Sequence, residues 1–276
     1  MGSVRNDPVM PDRRTLIIAS APRTGSTLLS RLLKSTGVAG LPSEFLHPSA
    51  ILEDGPRLGI RRTRRVASLP RLERHRLGLE RQPGRLTDVS PSKVRRYLEV
   101  VENANRSANG VFAINLHWSQ FEIASSRWGI VFPPVGPDAV WVHLWREDRF
   151  AQAVSWLRAL QTDRWNTDDK GSSGEPVYDS VRLGRLARRA IVSKKGWDRH
   201  FETFATPPMM LTYEQLSSDP AGAVDEILGL LGEKSAVEPE ASMGVQRDDL
   251  SREWIERMLV DLPGLAGQRY ATPETR

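Results

Sequence analysis

The stretch from Thr15 to Leu33, TLIIASAPRTGSTLLSRLL, restricts the fold more than any other part of the chain. Leu16, Ile17 and Ile18 are apolar and largely β-branched, which suits a buried parallel strand. Leu28, Leu29, Leu32 and Leu33 fall at i, i+1, i+4 and i+5, the inward face of a helix that Gly37 can end at its C′ position. The residues from Pro22 to Thr27 are therefore a strand-to-helix turn. Such a turn aims unbonded amides and the positive end of the helix dipole at one point, where an anion is favoured. Ser26 or Thr27 can equally be a plain helix cap, and the local pattern leaves both readings open.

The details narrow the anion. If Gly25 were the second glycine of a Walker A loop, the first would fall at Ser20 and the phosphate lysine at Ser26. Both positions fail, which argues against a triphosphate held with magnesium. Arg23, the flexible Gly25 and the hydroxyls of Ser26 and Thr27 suit instead an oxygen-rich anion bound without a metal, because arginine supplies charge and a planar hydrogen-bonding fork.

At 276 residues the chain is long enough for one large domain. It has no cysteine, which excludes disulfides, zinc–thiolate sites and cysteine nucleophiles. The histidines at 47, 75, 117, 143 and 200 show no metal-ligand spacing. Residues 1–14 read as a loose, disordered tail without the apolar core of a signal peptide, and no apolar run approaches a membrane span. A soluble, cytoplasmic protein is expected. The formal charge of +5 owes much to Arg57–Arg85, with ten arginines against Glu73 and Glu80. No aromatic platform or nucleic-acid module accompanies that charge, so it reads as a solvated insertion and no nucleic-acid partner is expected. A few of these arginines facing an anionic cosubstrate is a further reading.

Along the chain, GVAGLPSEFLHPSAI reads as an irregular connection free to bend back over a ligand. Ser90-Pro91 opens a helix through Val94, Tyr97, Leu98 and Val101, with proline at N1. GVFAINLHW and AVWVHLW are strands, and 146–164 is an amphipathic helix with Phe150, Val154, Leu157 and Leu160 inward. A polar, lid-like loop at 163–179 precedes a long helix over 180–204. PPMMLTYEQL is a short strand entering a helix; Pro220 opens another that ends near Gly232, and DDLSREWIERML is a last capped helix.

The alternation predicts an α/β fold: a single domain over 15–262, a parallel sheet covered by helices on both faces, and a tail over 263–276. Ligands of such sheets sit at the carboxyl ends of the strands, which places Arg23 to Thr27, His117, Arg146 and Tyr213 on one rim. Ser155 lies nine residues past Arg146 on the following helix, so a second anion site is plausible there; local pairing of Arg146 with Glu147 or Asp148 is the alternative. Trp118, Trp145, Trp156 and Trp165 fall mostly at core spacings.

With those pieces placed, the sequence resembles the bacterial trehalose 2-sulfotransferase-like family over about residues 15 to 260. The matching blocks are IIASAPRTGSTLLSRLLKSTGVAGLPSEF, GVFAINLHW, HLWREDRFAQAVSWLRALQTDRW, LTYEQLSSDP and QRDDLSREWIERM, in that order. The resemblance implies a P-loop-kinase-like sulfotransferase architecture and metal-free transfer of a sulfuryl group from 3′-phosphoadenosine 5′-phosphosulfate to a hydroxyl. It implies that Arg23, Thr24, Gly25, Ser26 and Thr27 hold the 5′-phosphosulfate, that Arg146 and Ser155 hold the 3′-phosphate, and that Glu44 is the general base. The implied acceptor is a carbohydrate, with trehalose, a glycolipid or a hydroxylated natural product as candidates, and dimerisation is expected by analogy alone.

Two positions depart from the family pattern. Glu147 stands where a second arginine is usual, which leaves the phosphate to Arg146 with help from Arg149; Asn115 stands where a lysine is often found, which shifts the charge on the bridging oxygen to Arg23. His117 is the rival base. A small-molecule or nucleotide kinase and a non-catalytic anion- or nucleic-acid-binding module are the competing classes, and the missing Walker A lysine weighs against the first.

Overall fold

Strand β1 (Arg14–Ser20) is buried on both faces from Thr15 to Ser20, as its run of apolar residues requires. In the computed structural model, which describes residues 13–54, 61–62, 86–87, 90–132, 139–165, 169, 174–239 and 249–270, β1 is flanked by parallel neighbours on both sides. The chain continues through α1 (Ser26–Ser35), α2 (Pro48–Asp54), a two-strand ladder of β2 (Arg61–Arg62) and β3 (Leu86–Thr87), and α3 (Pro91–Asn105). Next come β4 (Val111–His117), α4 (Trp118–Trp128), β5 (Ala139–Trp145), α5 (Arg149–Thr162) and α6 (Ser180–Phe201). β6 (Met209–Thr212), α7 (Tyr213–Ser218), α8 (Pro220–Leu230), α9 (Asp249–Asp261) and α10 (Pro263–Ala266) complete it.

The main sheet has the order β4-β1-β5-β6, all parallel. Successive β1 side chains point to opposite faces. Leu16 and Ile18 pack with Leu29, Leu32 and Leu33 of α1 and Val224, Ile227 and Leu228 of α8. Ile17 and Ala19 pack with residues of α3, α4 and α6, Trp197 among them. Phe150, Val154 and Leu157 of α5 join α6 and α9 in a third cluster around Trp254 and Met258. The sheet is thus covered on both faces, the α/β architecture expected. No described helix is long and apolar enough to cross a membrane.

Several elements differ from the sequence expectations. The connection after α1 is irregular only to His47, because Pro48 opens α2. β4 stops at His117, and Trp118 begins a helix that the strand pattern alone hid: α4 carries Phe121, Ala124 and Trp128 on its buried side. Of the four tryptophans read mostly as core, all are half-buried, with Trp118 and Trp156 packed against core clusters; the buried ones are Trp128, Trp141, Trp197 and Trp254. Residues 263–266, read as tail, form α10, and Arg269 beyond it pairs with Asp148. Of the expected tail at 1–14, residues 1–12 lie outside the described residues while Arg14 already opens β1 by pairing with Val111; most of the arginine-rich insertion and the centre of the 163–179 loop also lie outside the described residues.

Candidate active site

After β1 the chain enters α1 on the Leu16 and Ile18 face, and after β5 it enters α5, which packs on α6 of the opposite face, so a crevice opens between the carboxyl ends of these neighbouring strands, the usual ligand position in such sheets. The turn Ala21–Gly25 lies there. Its carbonyl side is tied down: Trp197 Nε1 donates to the Ser20 carbonyl (2.9 Å), Gln152 Nε2 to that of Pro22 (2.8 Å), and the Thr24 hydroxyl to that of Ala21 (2.9 Å). The amides opening α1 have no carbonyl one turn back inside the helix. Arg23 (φ 66°) and Gly25 (φ 88°) both adopt left-handed backbone, and Gly25, not Ser26 or Thr27, is the N-cap. Left-handed backbone at an arginine costs about 1–3 kcal/mol and is held only where the surroundings enforce it.

Glycine is required at position 25 for two reasons. Its φ is strained for any other residue, and an added Cβ would stand 2.8 Å from Cδ2 of Tyr213. Gly25→Ala is therefore expected to lower stability by about 1–3 kcal/mol and to weaken anion binding, checked by thermal melting and by titration with adenosine 3′,5′-bisphosphate.

Arg23 reaches across the crevice. Its Nε donates to Ser155 Oγ at 2.9 Å, and its Nη1 donates to the Trp165 carbonyl. Arg146, delivered by the end of β5, lies with its guanidinium carbon 4.4 Å from the Tyr213 ring centre and its Nε 4.0 Å from Glu214 Oε1. Burial first, and then the neighbouring Arg146 charge, lower the pKa of Arg23, while Tyr213 and Asp169 oppose that shift. Two guanidinium groups close enough to oppose one another at a helix N-terminus fit a bound dianion.

The neighbours of Arg146 have other duties. Asp148 caps α5, accepting from Phe150 N and Ala151 N at 3.0 Å, and takes the Arg269 fork at 2.7 and 3.1 Å. Arg149 donates to the carbonyls of Gln268 (2.9 Å) and Tyr270 (3.3 Å). Both bonds come from Nη1, and Arg149 lines the same cleft as Arg146. Glu147 is exposed, and its backbone amide donates to Glu214 (3.1 Å).

A second group of residues gathers beside the outer edge of β4. Ser43 bridges Ile114 in parallel and its carbonyl accepts from Asn115 N (2.9 Å). Phe45 stacks on Phe112 with ring centres 5.8 Å apart, and the Tyr97 hydroxyl donates to the Phe45 carbonyl (2.9 Å). Glu44, held between these anchors, places Oε2 3.4 Å from His117 Nδ1 and 3.0 Å from Gln120 Nε2. Burial is the main cause lowering the His117 pKa; Glu44 partly offsets it, and His47 adds to it. The ring is therefore neutral near pH 7. Asn115, buried, accepts from Ser20 Oγ at 2.8 Å, so it supplies a link between strands and no charge.

The residues singled out from sequence thus fall into two groups on adjoining strand ends. Arg23, Thr24, Gly25, Arg146 and Ser155 meet at the β1–β5 crevice with Ser26 and Thr27 opening α1, and Glu44 and His117 meet at the end of β4. Ser155 bonds Arg23 directly, a contact its spacing from Arg146 did not foretell. Sequence reasoning missed Gln120, which only its place at the third position of an unexpected helix could have flagged, and Gln152, which fixes the turn from α5. It also missed the buried neutral His143, whose pKa burial and then Lys194 push down to about 3. His143 lines a narrow cleft under the turn, together with Thr24, Arg146, Arg149, Gln152 and Lys194. Among the described residues no group of three or more acidic or histidine side chains could hold a metal ion.

The chain is 27% identical over 271 residues to a trehalose 2-sulfotransferase of Mycobacterium tuberculosis, covering 91% of this chain and 97% of that one. It is 27% identical over 256 residues to the protein of the same name from Mycolicibacterium smegmatis, covering 87% and 92%. A solved sulfotransferase from Alicyclobacillus acidocaldarius is 16% identical with a TM-score of 0.46, over 93% of this chain and 96% of that one. Residues 15–261, which include the turn, both arginines and Glu44, match the model of the Stf0 sulphotransferases, and the chain belongs to that family.

Proposed function

We propose that this sulfotransferase moves the sulfuryl group of 3′-phosphoadenosine 5′-phosphosulfate to a hydroxyl of a carbohydrate, with trehalose or a trehalose-containing glycoside as the first candidate. The observation that carries the reading is the pairing of an anion crevice, built from Arg23, Arg146 and the start of α1, with a carboxylate on the adjoining strand end. The names of the two mycobacterial relatives favour trehalose.

In this reading the amides of residues 24–27 and the Arg23 guanidinium bind the phosphosulfate, while Arg146 and Ser155 bind the 3′-phosphate. The acceptor oxygen forms a bond to sulfur as the bond from sulfur to the 5′-phosphate oxygen breaks, and the leaving bisphosphate keeps that electron pair. Preorganised donors at the departing oxygen are worth about 3 kcal/mol each when removed singly. Sulfuryl transfer resembles phosphoryl transfer in needing position and charge more than covalent help. Glu44 takes the hydroxyl proton, a contribution of about 10² to 10⁴ in rate.

Incubation with 35S-labelled donor and a panel of sugars tests this. Label should pass to trehalose or its glycosides well above monosaccharides. Transfer to none of the sugars, with turnover on a hydrophobic alcohol instead, would refute the carbohydrate assignment.

A further inference from the structure

We propose that Gln120 is a positioning residue for the reaction: its side-chain amide, acting with His117, fixes the Glu44 carboxylate by Oε2 and leaves Oε1 to take the acceptor's proton. This rests on the reading of Glu44 as the base.

The geometry assigns each end of the amide. Gln120 occupies the third position of α4, where a glutamine or glutamate can reach back to the helix cap. Its Oε1 accepts from the backbone N–H of His117 at 3.2 Å. That bond can be made only by the oxygen, so the NH2 group must face the other way, and there Nε2 donates to Glu44 Oε2 at 3.0 Å. The Gln120 side chain is buried, which holds this orientation. His117 Nδ1 approaches the same carboxylate oxygen at 3.4 Å.

Both contacts fall on one oxygen of a carboxylate whose side chain keeps 31% of its exposure, so the other oxygen is the one left for a ligand. Gln120 therefore connects three things: the end of β4, the start of α4 and the rotamer of Glu44. Outer-shell partners of this kind typically change activity by about 10–100-fold when removed.

Gln120→Glu separates positioning from helix capping. Glutamate closes the capping arrangement as well as glutamine does, so its carboxylate still accepts from His117 N–H. In its ionised form it cannot donate to Glu44, and it sets a like charge against it. The expected result is a Tm lowered by the like-charge contact but less than in the leucine variant, unchanged calorimetric affinity for adenosine 3′,5′-bisphosphate, and a kcat lower by about 10–100-fold. Gln120→Leu, which loses both bonds, should lose kcat to a similar extent and melt lower, again with bisphosphate affinity retained. A Gln120→Glu enzyme with kcat within about twofold of the unaltered protein would overturn the proposal and leave Gln120 as a cap alone. Glu44→Gln keeps the two ideas apart. If it is inactive while Gln120→Glu is fully active, only the positioning role falls; if it is itself fully active, the base assignment falls and the positioning role with it.

Discussion

Glu44→Gln is expected to lower kcat by about 10²- to 10⁴-fold while leaving the affinity for adenosine 3′,5′-bisphosphate within about twofold. The separation follows from where the two groups sit. Glu44 projects at the end of β4 against His117 and Gln120, whereas the anion crevice opens between β1 and β5. The amide that replaces the carboxylate is nearly isosteric, so the anchors at Ser43 and Phe45 should hold the segment in place. Rapid-quench measurement of label transfer, with calorimetry on the same preparation, checks both halves. Substantial retained activity would move proton abstraction to the neutral His117 ring, whose lowered pKa leaves it able to accept a proton.

Arg23→Glu should be more severe, with bisphosphate binding lost and kcat/KM reduced by at least about 10³-fold. The substitution removes the guanidinium from the crevice and puts a carboxylate where the donor's anion would lie. It also breaks the bonds to Ser155 and to the Trp165 carbonyl, which connect the turn to α5 and to the residues after it. Arg23→Gly provides the control for folding. Glycine accepts the left-handed backbone found at this position without strain, so that variant should melt no lower than the parent and still lose most of its binding. If both variants bound the bisphosphate normally, the crevice would not be the donor site.

The fold was legible where one physical pattern dominated. The unbroken apolar run of β1 and the leucine spacing of α1 each admit a single reading, and Ser90-Pro91 marks the start of α3 without ambiguity. α4 was hidden because β4 ends directly on a tryptophan that suits either strand or helix, with no glycine or proline between them. The strand-to-helix turn at Pro22–Thr27 was legible in sequence, whereas the left-handed backbone of Arg23 was not. The link from Arg23 to Ser155 spans 132 residues and depends on how α5 packs, which no local pattern encodes. Glu44 is a similar case. Nothing in its own neighbourhood distinguishes it from a solvated glutamate until Gln120 and His117, more than 70 residues away, are seen against it.

The pairing of β1 with β4 sets Ser20 directly opposite His117. Adjacent strands stand about 4.8 Å apart, so the last residue before the Ala21–Gly25 turn and the residue that flanks Glu44 are fixed to one another by the backbone ladder itself. On the proposed reading, the spacing between the donor crevice and Glu44 is then set by interstrand phase and not by loop conformation.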